Sequence, residues 1–244
     1  MVDPEKDPDE TTRGYDAMAT DTDDGSGWES PWGDNPLQRY YSWPATRALL
    51  PDLTDRRVLD AGCGVGDHVG WLLDRGAAVV GIDASEPAVE SCRRRYGDRA
   101  DFGQIDLTEP LPFDDGAFDV VLSHLVLDHL SEWRPVFDEF RRVLTAEGTL
   151  VFAVVHPMQY YLSYDAVTEY YDTAAVELGW DDVSITSYHR PVSDVINALA
   201  ESGFRLDRFE EPRPPTEYAE RAADEWNVTE RPQICVVRAD SDQR

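Results

Sequence analysis

The chain has 244 residues, enough for one domain with a substantial core. It carries 49 acidic and 22 basic side chains, a net charge of −27, and Lys6 is its single lysine. No basic stripe is present to neutralise phosphates, which argues against a nucleic-acid partner. No apolar run approaches membrane-spanning length and the acidic start does not resemble a signal peptide, so a soluble, cytoplasmic protein with no membrane partner is expected. Acids continue through every later segment, and repulsion on that scale is tolerable where salt screens it. The composition therefore reads as adaptation to a salt-rich (halophilic) cytoplasm rather than as a clue to a reaction. Cys63, Cys92 and Cys235 lack C-x-x-C spacing, so neither a disulfide framework nor a metal site is expected.

In chain order, residues 1–30 are acidic, with Gly, Ser and Thr and little apolar content, the composition of a partly disordered segment. A folded domain is expected over 31–240. From Asn35 to Leu50, aromatics and leucines suggest helical pieces broken near Pro44. Then comes RVLDAGCGVGDHVGWLLDRGAAVVGIDAS, Arg57 to Ser85. A short apolar run ends in Asp60, glycines follow at alternate positions (Gly62, Gly64, Gly66), an amphipathic segment comes next, and a second apolar run stops at Asp83. This is strand, glycine turn, helix, strand and terminal acid, the half-unit that binds nucleotide-like cofactors.

Ser85 is a good N-cap for a helix with Pro87 in its first turn, ending before Gly97. A third strand is expected over Asp101–Asp106 and a fourth over Phe118–His124. Ser131 is placed to cap a helix whose stripe is Trp133, Val136, Phe137, Phe140, Val143 and Leu144. Gly148 introduces a fifth, wholly apolar strand, Thr149–Val155. A helix marked by Val192, Val195, Ile196 and Leu199 and two late strands, Phe204–Phe209 and Gln233–Val237, complete a doubly wound, mostly parallel α/β sheet. Residues 157–190 break the alternation. They are rich in Tyr and lie where a substrate lid would sit, although their tyrosines could equally form a small core of their own.

The glycine spacing bears on the ligand. A dinucleotide fingerprint reads G-x-G-x-x-G, whereas this chain reads G-x-G-x-G after an acid, Asp60. That acid would repel a pyrophosphate and attract an ammonium group. The better ligand carries a ribose and a cationic amine, as S-adenosylmethionine does.

In these motifs the chain resembles the class I S-adenosylmethionine-dependent methyltransferases, specifically the small-molecule group called methyltransferase type 11, over roughly Tyr15 to Ala239. The resemblance implies a seven-stranded Rossmann-like sheet whose last strand inserts antiparallel between the fifth and sixth. It also implies that Asp60, Gly62, Cys63, Gly64 and Gly66 cradle the methionine moiety, that Asp83 with Ala84 takes the ribose hydroxyls, and that Asp106 and Leu107 meet the adenine. Ser123, at the end of the fourth strand, would lie beside the methyl group, and Tyr15 would cover the cofactor. The strand-four sequence Ser123-His124-Leu125-Val126 departs from the Asn/Asp-Pro-Pro-aromatic motif of the nucleic-acid amino-methylating members.

A small-molecule acceptor is therefore expected, methylated on O, N or C. A cofactor-binding interaction module is the alternative, and a nicotinamide oxidoreductase is less favoured on spacing. Methyl transfer from a sulfonium needs mainly alignment, with a general base where the acceptor holds its proton. The histidines that stand at the end of strand five and within the Tyr-rich insertion, His156 and His189, are the candidate bases, ahead of His124, His68 and His129.

Overall fold

A computed structural model describes residues 8–20, 35–180, 183–222 and 230–241. The strands in chain order are β1 (Arg57–Ala61), β2 (Ala78–Asp83), β3 (Asp101–Gln104), β4 (Phe118–His124), β5 (Leu144–Val155), β6 (Ala174–Trp180), β7 (Val183–His189), β8 (Arg205–Glu210) and β9 (Ile234–Asp240). Seven form one sheet in the order β3-β2-β1-β4-β5-β9-β8, and β6 pairs with β7 as a separate antiparallel hairpin. The pairs among β1 to β5 are parallel, while β9 runs antiparallel between β5 and β8. This is the expected doubly wound sheet, with its last strand where the resemblance put it.

Period-two alternation distributes the strand residues between two faces. Leu59, Val121, Leu150, Phe152 and Val154 pack on one side with Val136, Phe137, Phe140 and Val143. On the other, Val58, Val120 and Leu122 meet Val69 and Leu72, and Val151 and Ala153 meet Tyr41 and Tyr218. The helices are α1 (Pro8–Thr20), α2 (Trp43–Ala48), α3 (Val69–Leu73), α4 (Glu86–Tyr96), α5 (Arg134–Val143), α6 (Pro157–Ser163), α7 (Val192–Glu201) and α8 (Thr216–Arg221). As expected, Ser85 caps α4, its Oγ accepting the Ala88 N–H at 3.3 Å.

Several expectations need correcting. The acidic opening segment contains a helix, α1, packed against β7 and α4. Its average composition concealed Tyr15, Met18 and Ala19, an i, i+3, i+4 set, and a docked helix needs only one such face; residues 1–7 and 21–30 lie outside the described residues. Pro44 does not break the helical stretch: a π-helical turn, Leu37–Ser42, runs straight into α2, and Pro44 occupies its first turn, where no backbone donor is needed. Strand β3 ends at Gln104, because Asp106 folds back to accept the Thr108 N–H and O–H, each at 2.8 Å. Strand β5 starts earlier, at Leu144, pairing with Phe118 before a register shift. Ser131 does not cap α5. Trp133 precedes that helix, anchored by its Nε1 donating to the Leu127 carbonyl at 2.6 Å, and a proline in the first turn starts it.

The sheet order reverses between β1 and β4, which opens a cleft at their carboxyl ends. Helix α1, the π-helical turn and the hairpin β6-β7 close over that cleft. The insertion at 157–190 has a small core of its own, Tyr160, Val167 and Val176, and also contributes Tyr160, Leu178 and Ser187 to the cleft wall.

Candidate active site

The cleft encloses about 250 Å³ and is walled by Gly62, Cys63, Gly64, Asp83, Ala84, Asp106 and Leu107, seven of the ten residues expected at the cofactor. The glycine turn is shaped by two backbone bonds, Gly62 N–H and Cys63 N–H both donating to the Ile82 carbonyl at 2.8 and 2.9 Å. That fold needs positive φ at Gly62 (83°) and Gly64 (52°). A Cβ on Gly62 would stand 2.3 Å from a Val126 methyl, whereas one on Gly64 would meet no protein atom within 4 Å. Gly64 therefore presents bare backbone to open space.

Asp83 stands at the end of β2. Its Oδ2 accepts the Gly64 N–H at 2.8 Å and its Oδ1 the Ser85 N–H at 3.0 Å. A carboxylate offers about four lone-pair directions, so two remain for a ligand's hydroxyls. Burial raises the Asp83 pKa, and the backbone donors oppose that rise. Asp106 spends Oδ1 on Thr108, and its Oδ2 has no hydrogen bond among the described residues.

Three expected residues are not on the wall. Asp60 lies beneath the turn, 2 % exposed, with Oδ2 unpartnered among the described residues. Burial, then Asp83 and Asp67, push its pKa up to about 7. Gly66 packs on α4, where a Cβ would meet Cys92 Sγ at 2.9 Å. Ser123 is fully buried within β4. Cys63 and Cys92 are free thiols 3.9 Å apart.

Neither expected base reaches the cleft. The Nδ1 of His156 accepts the Met158 N–H at 3.0 Å to cap α6, and its Nε2 meets Glu211 at 2.7 Å. His189 is fully buried, with Nε2 donating to the Tyr170 carbonyl at 2.9 Å. His156 is held by the α6 cap and Glu211, and His189 is buried in the insertion with Nδ1 unpartnered among the described residues, so neither lines the cleft.

The histidines that do face the cleft are His68, His124 and His129. Leu125, at φ 57°, turns the chain at the end of β4 and sends Val126 to Leu130 along the wall, with a 3₁₀ turn at Leu127–His129. His129 Nδ1 lies 3.0 Å from the Thr186 carbonyl and 3.0 Å from Ser187 Oγ, and its Nε2 lies 2.7 Å from the Tyr15 hydroxyl. A carbonyl only accepts, so Nδ1 carries the proton and Nε2 accepts the one on Tyr15. Burial lowers the His129 pKa and raises that of Tyr15, so the ring stays neutral and the phenol protonated. Asp128 and Tyr160 complete this end. Asp128 accepts the Val155 N–H at 2.9 Å, and the Tyr160 hydroxyl is buried without a partner among the described residues. Sequence reasoning did not place His129 on the cleft wall. The usable signal was the switch-point rule itself, since His129 follows β4, one of the two strands that flank the cleft.

The sequence pattern of the methyltransferase domain family matches residues 59–152, the span from β1 into β5. A structure titled an S-adenosylmethionine-dependent methyltransferase from Mesorhizobium loti superposes with a TM-score of 0.72 at 27% identity, covering 84% of this chain and 99% of that one. The chain carries an S-adenosylmethionine-dependent methyltransferase domain. A demethylmenaquinone methyltransferase from Clavibacter sepedonicus is 41% identical over 108 residues, 43% of either chain, so this chain spans less than half of that enzyme. The Burkholderia thailandensis 1,6-didemethyltoxoflavin-N1-methyltransferase, solved with that compound and S-adenosylhomocysteine, shares the fold at a TM-score of 0.65 and 19% identity, covering 98% of this chain and 92% of that one. The methyltransferase cleft fits the cofactor on its own geometry: a half-buried, hydrogen-bonded carboxylate for a ribose, bare backbone at Gly64, and, under the turn, the Asp60 Oδ2 that has no partner among the described residues. Among the described residues no cluster of three metal-ligating side chains occurs, and no helix is long and apolar enough to cross a membrane.

Proposed function

We propose that this chain transfers the methyl group of S-adenosylmethionine to a small-molecule acceptor that binds against Tyr15, His129 and Tyr160 and gives up a proton to His129. The observation that carries this reading is the Tyr15 hydroxyl donating to His129 Nε2 at 2.7 Å, with the opposite nitrogen tied to Thr186. The ring is thereby held in one tautomer, with its basic nitrogen aimed into the cleft.

The cofactor supplies an activated methyl group on a good, neutral leaving group. The remaining work falls to the chain. The apolar wall of Leu37, Leu125, Val126 and Val155 excludes water and holds the acceptor body. The acceptor's O–H or N–H displaces the Tyr15 proton at His129 Nε2. As the acceptor's lone pair bonds to the methyl carbon, the carbon–sulfur pair stays on sulfur and the acceptor proton moves to Nε2. Tyr15 then donates to the newly bonded atom or to water.

A small acceptor is supported by the size and enclosure of the cleft and by the small molecule held in the related Burkholderia enzyme. Production of S-adenosylhomocysteine from S-adenosylmethionine, with a fractionated pool of small metabolites, tests the reading. Turnover should depend on the pool and fall by 10²-fold or more in His129→Asn, within the ~10²–10⁴ range of general acid–base catalysis. No turnover with any fraction, or turnover indifferent to His129→Asn, overturns it.

A further inference from the structure

Two of the three histidines in the cleft are not used by this reaction. His68 Nε2 lies 3.0 Å from His124 Nδ1, and His124 Nε2 lies 3.1 Å from Ser42 Oγ. Trp43 stacks on the His68 ring at 3.9 Å and 7° and meets His124 edge-on. The two rings are thus held by these four contacts, and His68 Nδ1 is the open end of the chain, without a partner among the described residues. His68 precedes α3 but its side chain does not cap that helix. If Ser42 donates to His124 Nε2, His124 Nδ1–H donates to His68 Nε2, and His68 Nδ1 carries an N–H for a ligand. Burial keeps both rings neutral in the free protein, lowering His68 to about 3.

The electrostatics of the cleft say which ligand group wants that donor. Its wall holds Asp67, Asp83, Asp106 and Asp128 and no Arg or Lys among the described residues. S-adenosylmethionine brings a sulfonium and an ammonium, which suit this wall, and a single anion, the α-carboxylate, which does not. That carboxylate needs donors that are not arginine or lysine. The wall's imidazoles are His68, His124 and His129; His124 is tied to His68 and Ser42, and His129 to Tyr15, Thr186 and Ser187, so His68 keeps the open nitrogen. The amides and hydroxyls on the wall can donate too but cannot take a charge to match. His68 also follows the glycine turn directly, four residues past Gly64, and is braced by Trp43 and, through His124, by Ser42, whereas His129 is held by Thr186 and Ser187.

We infer that His68, braced through His124 and Ser42, holds the α-carboxylate of the cofactor's methionine moiety. Asp67, on the cleft wall, then faces its ammonium group. The pair S-adenosylhomocysteine and 5′-methylthioadenosine isolates this contact, because both carry adenosine and sulfur but only the first carries the amino-acid end. Neither measurement requires the acceptor, so its outcome is independent of the transfer reaction.

In calorimetric titrations of the full chain, His68→Phe keeps the stack on Trp43 and removes the donor. It should weaken S-adenosylhomocysteine at least tenfold and leave 5′-methylthioadenosine within twofold, and His68→Gln should recover most of the loss. Equal loss for both ligands would make His68 a support for the turn and overturn the assignment, as would no loss for either. If His68→Phe does not fold, the unaltered protein decides. It has five histidines, and with ¹⁵N-labelled rings the His68 signal, assigned through His68→Gln, should move with S-adenosylhomocysteine and stay with 5′-methylthioadenosine. Equal movement with both, or none, overturns the proposal.

Discussion

Replacing Asp83 by Ala removes the carboxylate at the end of β2 and should separate binding from folding. Its two oxygens accept the N–H groups of Gly64 at 2.8 Å and Ser85 at 3.0 Å, and the remaining lone pairs are the proposed ribose acceptors. A hydrogen bond to a charged group contributes about 1.5–3 kcal/mol. Two are lost, but water entering the vacated volume replaces part of each, so a total loss of about 1.5–3 kcal/mol is expected. That is roughly ten- to 150-fold in Kd for S-adenosylhomocysteine by calorimetry. 5′-Methylthioadenosine should lose as much, because it keeps the ribose. The freed Gly64 N–H borders the cleft, where water reaches it, so circular dichroism should remain that of the parent. The pH dependence carries the same sign. Binding uses the carboxylate, burial raises the Asp83 pKa, and acidification therefore weakens binding in the parent but not through this group in the variant. A folded Asp83→Ala protein that binds S-adenosylhomocysteine within threefold of the parent would refute the ribose assignment.

Gly64→Ala should fold with a cost of about 1–2 kcal/mol for its positive φ and lose cofactor binding, since its methyl enters open cleft; retained binding in a titration would contradict the cradle. Asp60 has a folded pKa of about 7 against an ordinary value near 4, so the stability it contributes is present below pH ~4 and is lost as pH rises towards 7. In urea unfolding, Asp60→Asn should therefore gain on the parent by about 1–4 kcal/mol between pH 4 and 7, and a pH-independent difference would exclude this. His156→Ala removes the α6 cap and the Glu211 contact and should cost about 1–3 kcal/mol of unfolding free energy while S-adenosylhomocysteine affinity stays within threefold; an unchanged denaturation midpoint would show the cap to be idle. With a net charge of −27, the melting temperature should climb as salt rises from about 0.1 M to above 1 M, where the Debye length falls to about 3 Å, and a flat or falling series would remove the salt-adapted reading.

What the sequence by itself determined is local and periodic. The glycines at 62 and 64 and the acids at 83 and 106 sit within a few residues of the strand ends that aim them, so spacing alone placed them on one edge of a sheet. The same holds for Ser85 on α4 and for the apolar alternation of β1, β4 and β5, which is read one residue at a time along each strand.

The proposed acceptor side was decided by tertiary structure, because its groups come from segments far apart in the chain. Tyr15 meets His129 across 114 positions, and His129 meets Thr186 across 57. His156 and His189 look like bases when read along the chain, since each stands at the end of an element near the sheet's reactive edge. His156 is instead tied to a helix cap and to Glu211, and His189 is buried off the cleft against the Tyr170 carbonyl, contacts with no periodic signature. Helix α1 shows the same limit, since an acidic average conceals a short apolar face until there is a surface for it to cover. A strand end sets direction locally, but which imidazole keeps a free nitrogen depends on every partner the fold brings to it.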